Sequence, residues 1–124
     1  MTFTASASDA RAAQPVPALL CRAGRARFYL PLAQVERVYP MVHLPAARAG
    51  AQVHLRGETL DVQDTRPWWE QPPAEPDPAQ RLIVVIRPRR EAWWVDEVGP
   101  VADVTEGAPH ALLDGQVVPV VWHP

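Results

Sequence analysis

Catalysis or metal binding in this 124-residue chain would have to draw on four histidines, one cysteine and, near the central hairpin, one pair of close carboxylates. His43, His54, His110 and His123 form no close pair in sequence, and a metal site needs three or four converging ligands. Cys21 stands in an apolar run with no basic neighbour assigned to it, so a buried, inert thiol is expected and no internal disulfide is possible. Asp61 and Asp64 flank the central hairpin, where solvated surface charge is the simplest reading; a catalytic pair would need burial or like charge to raise one pKa. The sequence holds no phosphate-binding glycine loop, no dinucleotide fingerprint, no G-x-S-x-G and no zinc spacing. These residue types point away from an enzyme or small-ligand binder, and they call for no cofactor and no metal.

The chemistry that remains is the chemistry of contact. In Val53-His54-Leu55-Arg56-Gly57-Glu58-Thr59-Leu60-Asp61-Val62, apolar residues alternate with polar ones on both sides of Gly57. That is the pattern of two half-buried strands joined by a tight reversal, with glycine free to adopt positive φ. Arg56 then rides on the hairpin tip, next to Leu55, Gly57 and Glu58. A tip arginine can form a bidentate bond to a partner's carboxylate, or it can brace its own loop; both readings stand. Trp68, Trp69, Trp93 and Trp94 are the second set of binding candidates. In a strand, Trp93 and Trp94 point to opposite faces, so one is core and the other is exposed or covered by another segment. Either the pairs form a binding surface or Pro67, Pro72 and Pro88 fold over the rings. Arg87, Arg89 and Arg90, followed by Glu91, read as a solvated turn and not as a nucleic-acid contact.

The elements that must position these residues are short. Fifteen prolines in the chain argue against long helices. Residues 1–17 read as a flexible N-terminal tail and 18–124 as one domain, with a proline-rich surface loop at 70–80. A first strand from Val16 to about Arg22 and a second over Ala26 to Leu30 make a hairpin about Gly24. Leu32, Val35, Val38 and Tyr39 share one face at helical spacing between Pro31 and Pro40, which predicts a helix of about two turns. Pro40 to Gly50 is an irregular connection anchored by Met41, Val42 and Leu44. Leu82-Ile83-Val84-Val85-Ile86 suits a strand buried on both faces, and Ala92 to Val95 returns beside it. Val101 to Val104 is a further strand with Asp103 outward. Leu112 to Val121 repeats strand, tight turn and strand, and its Leu113-Asp114-Gly115 superimposes on Leu55-Arg56-Gly57. Pro119 places the last strand at an edge or bulge. The fold class is mostly β: eight or nine short strands in two small barrel-like subdomains around a shared core, with one short helix.

With twelve arginines, no lysine and a net charge of -2, the chain has no bulk attraction to nucleic acid or anionic membrane. Its apolar runs are too short for a membrane-spanning helix, and its start has no signal-like hydrophobic core. A cytoplasmic protein fits these features.

The order and spacing of several pieces resemble the CheW-like domain, the coupling module of bacterial chemotaxis and related signalling arrays. The pieces are Phe28 to Val38, His43-Leu44-Pro45, Val53 to Val62, Arg81 to Ile86, Trp94 to Val98 and Leu113 to Val120, and together they cover about Leu19 to Trp122. The resemblance implies two five-stranded barrel subdomains around a shared hydrophobic core and no enzymatic activity. It implies as partners the regulatory domain of a CheA-type histidine kinase, the cytoplasmic tip of a chemoreceptor, or both. The family's Leu-Arg-Gly motif falls on Leu55, Arg56 and Gly57, and its Val-Asp-Glu-Val motif on Val95 to Val98. His54 replaces the usual asparagine. The segment between the second motif and the last hairpin is shortened to Gly99–Ala111, which would be consistent with losing one of the usual contacts. The function expected is that of an adaptor or scaffold in a chemosensory pathway. A self-association module of a signalling complex, or a CheW-like module for an unrelated protein partner, is the alternative.

Overall fold

The computed structural model describes residues 14–41, 52–86 and 89–122. Ten strands follow in order: β1 Pro15–Ala23, β2 Ala26–Pro31, β3 Val35–Pro40, β4 Gln52–Leu55, β5 Glu58–Asp64, β6 Arg81–Val85, β7 Glu91–Val95, β8 Glu97–Thr105, β9 His110–Leu113 and β10 Gln116–Pro119. The first strand, expected from Val16, begins at Pro15, and the residues before 14 lie outside the described set. The connection predicted over Pro40 to Gly50 also lies largely outside it, although its anchor Met41 is buried.

The strands form two β subdomains. One is a five-stranded sheet of order β3-β6-β7-β5-β4, in which β5 and β7 run parallel. The other joins a sheet of order β2-β1-β8 to the β9–β10 hairpin, through a bridge between Tyr29 and Val120.

The predicted helix over Pro31–Tyr39 is not formed. Leu32–Gln34 make a single 3-10 turn, and Val35–Pro40 are strand β3, paired with β6. The pairing register shifts between Val35 and Arg37, so an extra residue is taken up there. Such a bulge lets residues three apart share one side of a strand, and Val35 and Val38 do pack on the same core cluster. The helix-like spacing was therefore the signature of a bulged strand of β-branched residues.

Strands β6 and β7 form the wall between the cores. Leu82, Val84, Ala92 and Trp94 face a cluster with Val53, Leu55, Leu60 and Val62. Ile83, Val85, Trp93 and Val95 face the other way, onto Leu19, Cys21, Phe28 and Leu30 from β1 and β2. The second cluster is the shared core of the two subdomains. A third, smaller cluster of Ala18, Tyr29, Val104, Val118 and Val120 lies inside the β8–β10 side. Cys21 is fully buried in the shared core, and burial pushes its thiol up to about 12.

Candidate functional site

The β4–β5 hairpin has a two-residue loop, with Leu55 paired to Glu58. Both loop residues have positive φ, 50° at Arg56 and 78° at Gly57. A tight hairpin of the right twist requires this, and it normally selects Asn-Gly or Asp-Gly. The β9–β10 hairpin uses that favoured pair: Asp114 and Gly115 have φ of 51° and 77°. The two turns are the same device with different first residues. Leu55 anchors the hairpin in the core, while Arg56 and Gly57 are exposed.

The loop end of this hairpin is clasped by an arginine that the sequence suggested was solvated. Arg90, in the β6–β7 turn, donates from Nε and Nη2 to the Glu58 carboxylate at 2.8 and 2.6 Å. Through Nη1 and Nη2 it also bonds both oxygens of Glu36 on β3. Hydrogen bonding from Arg90 lowers the pKa of both glutamates, and the same bonds raise that of Arg90. Glu58, expected as a contact residue, is thus engaged inside the protein. Arg56 has no hydrogen-bond or ion-pair partner among the described residues, though it lies close enough to Glu36 to add to the lowering there.

A second polar cluster lies between the subdomains. Asp96, nearly buried, accepts from Arg66 Nε at 2.7 Å and Nη2 at 2.5 Å, from Gly24 N–H at 2.6 Å and from Gln80 Nε2 at 3.1 Å. Desolvation pushes its carboxyl up, but the bonds from Arg66, Gly24 and Gln80 outweigh it and hold the pKa at about 2. Gln80 also accepts from Trp94 Nε1 at 2.9 Å, which links this cluster to the core. Gly24 has φ +64°, and a Cβ there would meet Gln71 Oε1 at 2.6 Å and displace that side chain, so glycine is favoured at the β1–β2 turn.

The tryptophans divide differently from expectation. Trp93 and Trp94 are 1% and 2% exposed, one in each core, so neither presents a surface to a partner. Two faces of one strand are both interior because β7 is the wall between two packed clusters. Trp68 and Trp69 sit in a 3-10 turn over Arg66–Trp69. Trp69 stacks on Phe28 at 5.2 Å, and Trp68 stands edge-on to Trp93 at 4.8 Å while remaining 41% exposed. Trp68 is therefore the tryptophan of the four with substantial open surface.

His54, Asp61 and Asp64 do not converge. His54 and Asp61 are exposed beside Thr59 and Gln52, whereas Asp64 is buried and accepts from the N–H groups of Arg66 and Ala74. Among the described residues, no group of three or more His, Cys, Asp or Glu is placed to hold a metal ion. No helix among them is long and apolar enough to cross a membrane.

Two β subdomains sharing one core, with an arginine-tipped hairpin on one and a matching Asp-Gly hairpin on the other, define the class of protein. The family model for the CheW-like domain matches residues 17–121, and the chain belongs to that family. Its fold is similar to the crystal structure of the scaffolding protein TtCheW from Thermoanaerobacter tengcongensis, with a TM-score of 0.70 and 17% sequence identity, over 89% of this chain and 91% of that one. No curated protein matches the sequence.

Proposed function

We propose that this chain is a non-enzymatic adaptor of a cytoplasmic chemosensory pathway, linking or modulating a chemoreceptor and a CheA-type histidine kinase through protein–protein contact. Family membership supports the adaptor role, and the scaffolding description of the structurally similar TtCheW agrees with it. The observation that carries the site is Arg56. A left-handed conformation disfavours a long side chain, and the equivalent turn at Asp114-Gly115 uses the residue type that suits it. A residue kept against its local preference points to a role outside the turn. The Arg90 clasp fixes the strand beneath it, so the guanidinium is offered from a braced base. A partner carboxylate is the natural acceptor.

The test is a titration of the purified protein against the receptor tip and, separately, against the kinase regulatory domain. Arg56→Ala is expected to weaken one of these at least about tenfold, the scale of a charge-assisted bond, with an unchanged circular dichroism spectrum. Unchanged affinity for both partners would remove Arg56 from the account.

A further inference from the structure

We infer that the β8 edge and the adjoining β9–β10 hairpin form a second docking surface, one that takes an extended basic segment of a partner protein as an added β-strand. This surface lies away from the Arg56 hairpin and does not depend on its role.

Three observations carry the inference. The first is an open sheet edge. In the order β2-β1-β8, β8 is terminal, and no described strand pairs with its outer side. The Glu106 N–H donates to Gln14 O at 2.9 Å, which sets the alternation of the ladder. Pairs of the same parity, Val16 with Val104 and Ala18 with Ala102, then exchange hydrogen bonds. The intervening partners of β8, Asp103 and Thr105, lie opposite Pro17 and Pro15, and proline has no N–H to give. The backbone N–H and C=O groups of Asp103 and the N–H of Thr105 therefore point outward, whereas the Thr105 C=O accepts from the Ala108 N–H at 3.1 Å.

They open into a groove, which is the second observation. It has a volume of about 360 Å³ and is lined by residues 103–105 of β8, 110–112 of β9 and Val117 of β10. Leu112 and Val117 are cross-strand partners, 75% and 66% exposed, and Val101 on β8 is 51% exposed. Free backbone groups beside apolar side chains are what strand addition uses: the main chain gives affinity and alternate side chains give selectivity.

Charge gives the third and selects the occupant. Neither arginine nor lysine occurs after Arg90, whereas Asp103 lines the groove, and Glu106 and Asp114 stand exposed within two residues in sequence of its lining residues Thr105 and Leu112. Arg27, reaching over from β2, is bonded to Gln116 at 2.7 Å. The complement of an acidic rim around an apolar floor is a strand with apolar residues on one face and basic residues on the other.

The probe is a synthetic peptide of about eight residues, a common strand length, alternating valine and arginine. Its counterparts are a valine–glutamate peptide and the basic peptide with alternate amides N-methylated. Binding is read by calorimetry and by amide exchange resolved to single residues. The basic peptide is expected to bind and to slow exchange at Asp103 and Thr105. The acidic and N-methylated peptides should bind at least tenfold more weakly, as should the basic peptide to Leu112→Ser, an exposed position whose fold is checked by circular dichroism. Equal binding of the acidic or N-methylated peptide, or protection confined to other residues, overturns the proposal. So does protection at Asp103 and Thr105 that grows with protein concentration in the absence of peptide, which would assign the surface to a second copy of this chain.

Discussion

At the residue scale, the position of Arg56 sets stability against contact. Replacing it by asparagine relieves the left-handed strain and is expected to stabilise the fold by about 0.5–1 kcal/mol in urea denaturation while weakening partner affinity. A purely structural arginine would show no such opposition. Asp96 makes a different prediction. Its pKa is about 2 in the fold against an ordinary 3.8, so the native state binds fewer protons than the unfolded chain. The resulting stability, about 2 kcal/mol, is complete above about pH 5 and is lost as pH falls toward 2. Asp96→Asn should flatten that acid limb and lower stability at neutral pH by roughly 2–3 kcal/mol, because Arg66 is left without its carboxylate. Urea unfolding of both proteins across this pH range checks it. The sequence placed Asp96 in a motif but could not reveal its partners: Arg66 is 30 residues away and Gly24 is 72. The Arg66 bond exists only once β5 lies beside β7, and the Gly24 bond only once the two subdomains have met.

At the element scale, Arg90 ties the β6–β7 turn to two strands at one end of a sheet: β3 through Glu36 and β5 through Glu58. Arg90→Ala is expected to leave the fold intact and to speed hydrogen exchange in the β4–β5 hairpin. High salt should produce the same loosening in the unmutated protein and little further change in the mutant, since exposed charges are screened. The hairpins themselves were legible because their turn chemistry is local: Gly57 and Gly115 interrupt clean alternations, and the Leu-Arg-Gly and Leu-Asp-Gly alignment holds in the backbone. Strand β3 was not legible. Its bulge between Val35 and Arg37 and its pairing with β6 depend on residues about 45 positions away, and apolar spacing of three reads as a helix when that partner is unseen. The placement of the candidate contact residues was legible only in part. Leu55, Arg56 and Gly57 lie where the alternation put them, but Glu58 is taken up by Arg90, and aromatic type alone did not say that Trp93 and Trp94 would both be interior.

On the scale of the whole molecule, β6 and β7 serve both cores at once, so damage on either face should be felt throughout. Trp93→Ala and Trp94→Ala, on opposite faces, are each expected to cost about 3–5 kcal/mol and to leave a single unfolding transition. Two separated transitions in denaturant, followed by fluorescence and circular dichroism together, would show that the subdomains fold apart. The bond from Gly24 to Asp96 joins points 72 residues apart, and β1 can complete its sheet only against β8. This long closure has a consequence during synthesis. At about 5–20 residues per second, a ribosome needs roughly 4–14 s to pass from the first of those points to the second. For most of that interval the β1–β2 hairpin has been translated while β8 is still to come, and the β6–β7 wall it packs on is made only in the last part of it. The chain cannot close its shared core strand by strand; it must hold its first hairpin in waiting until β7 and β8 have been made.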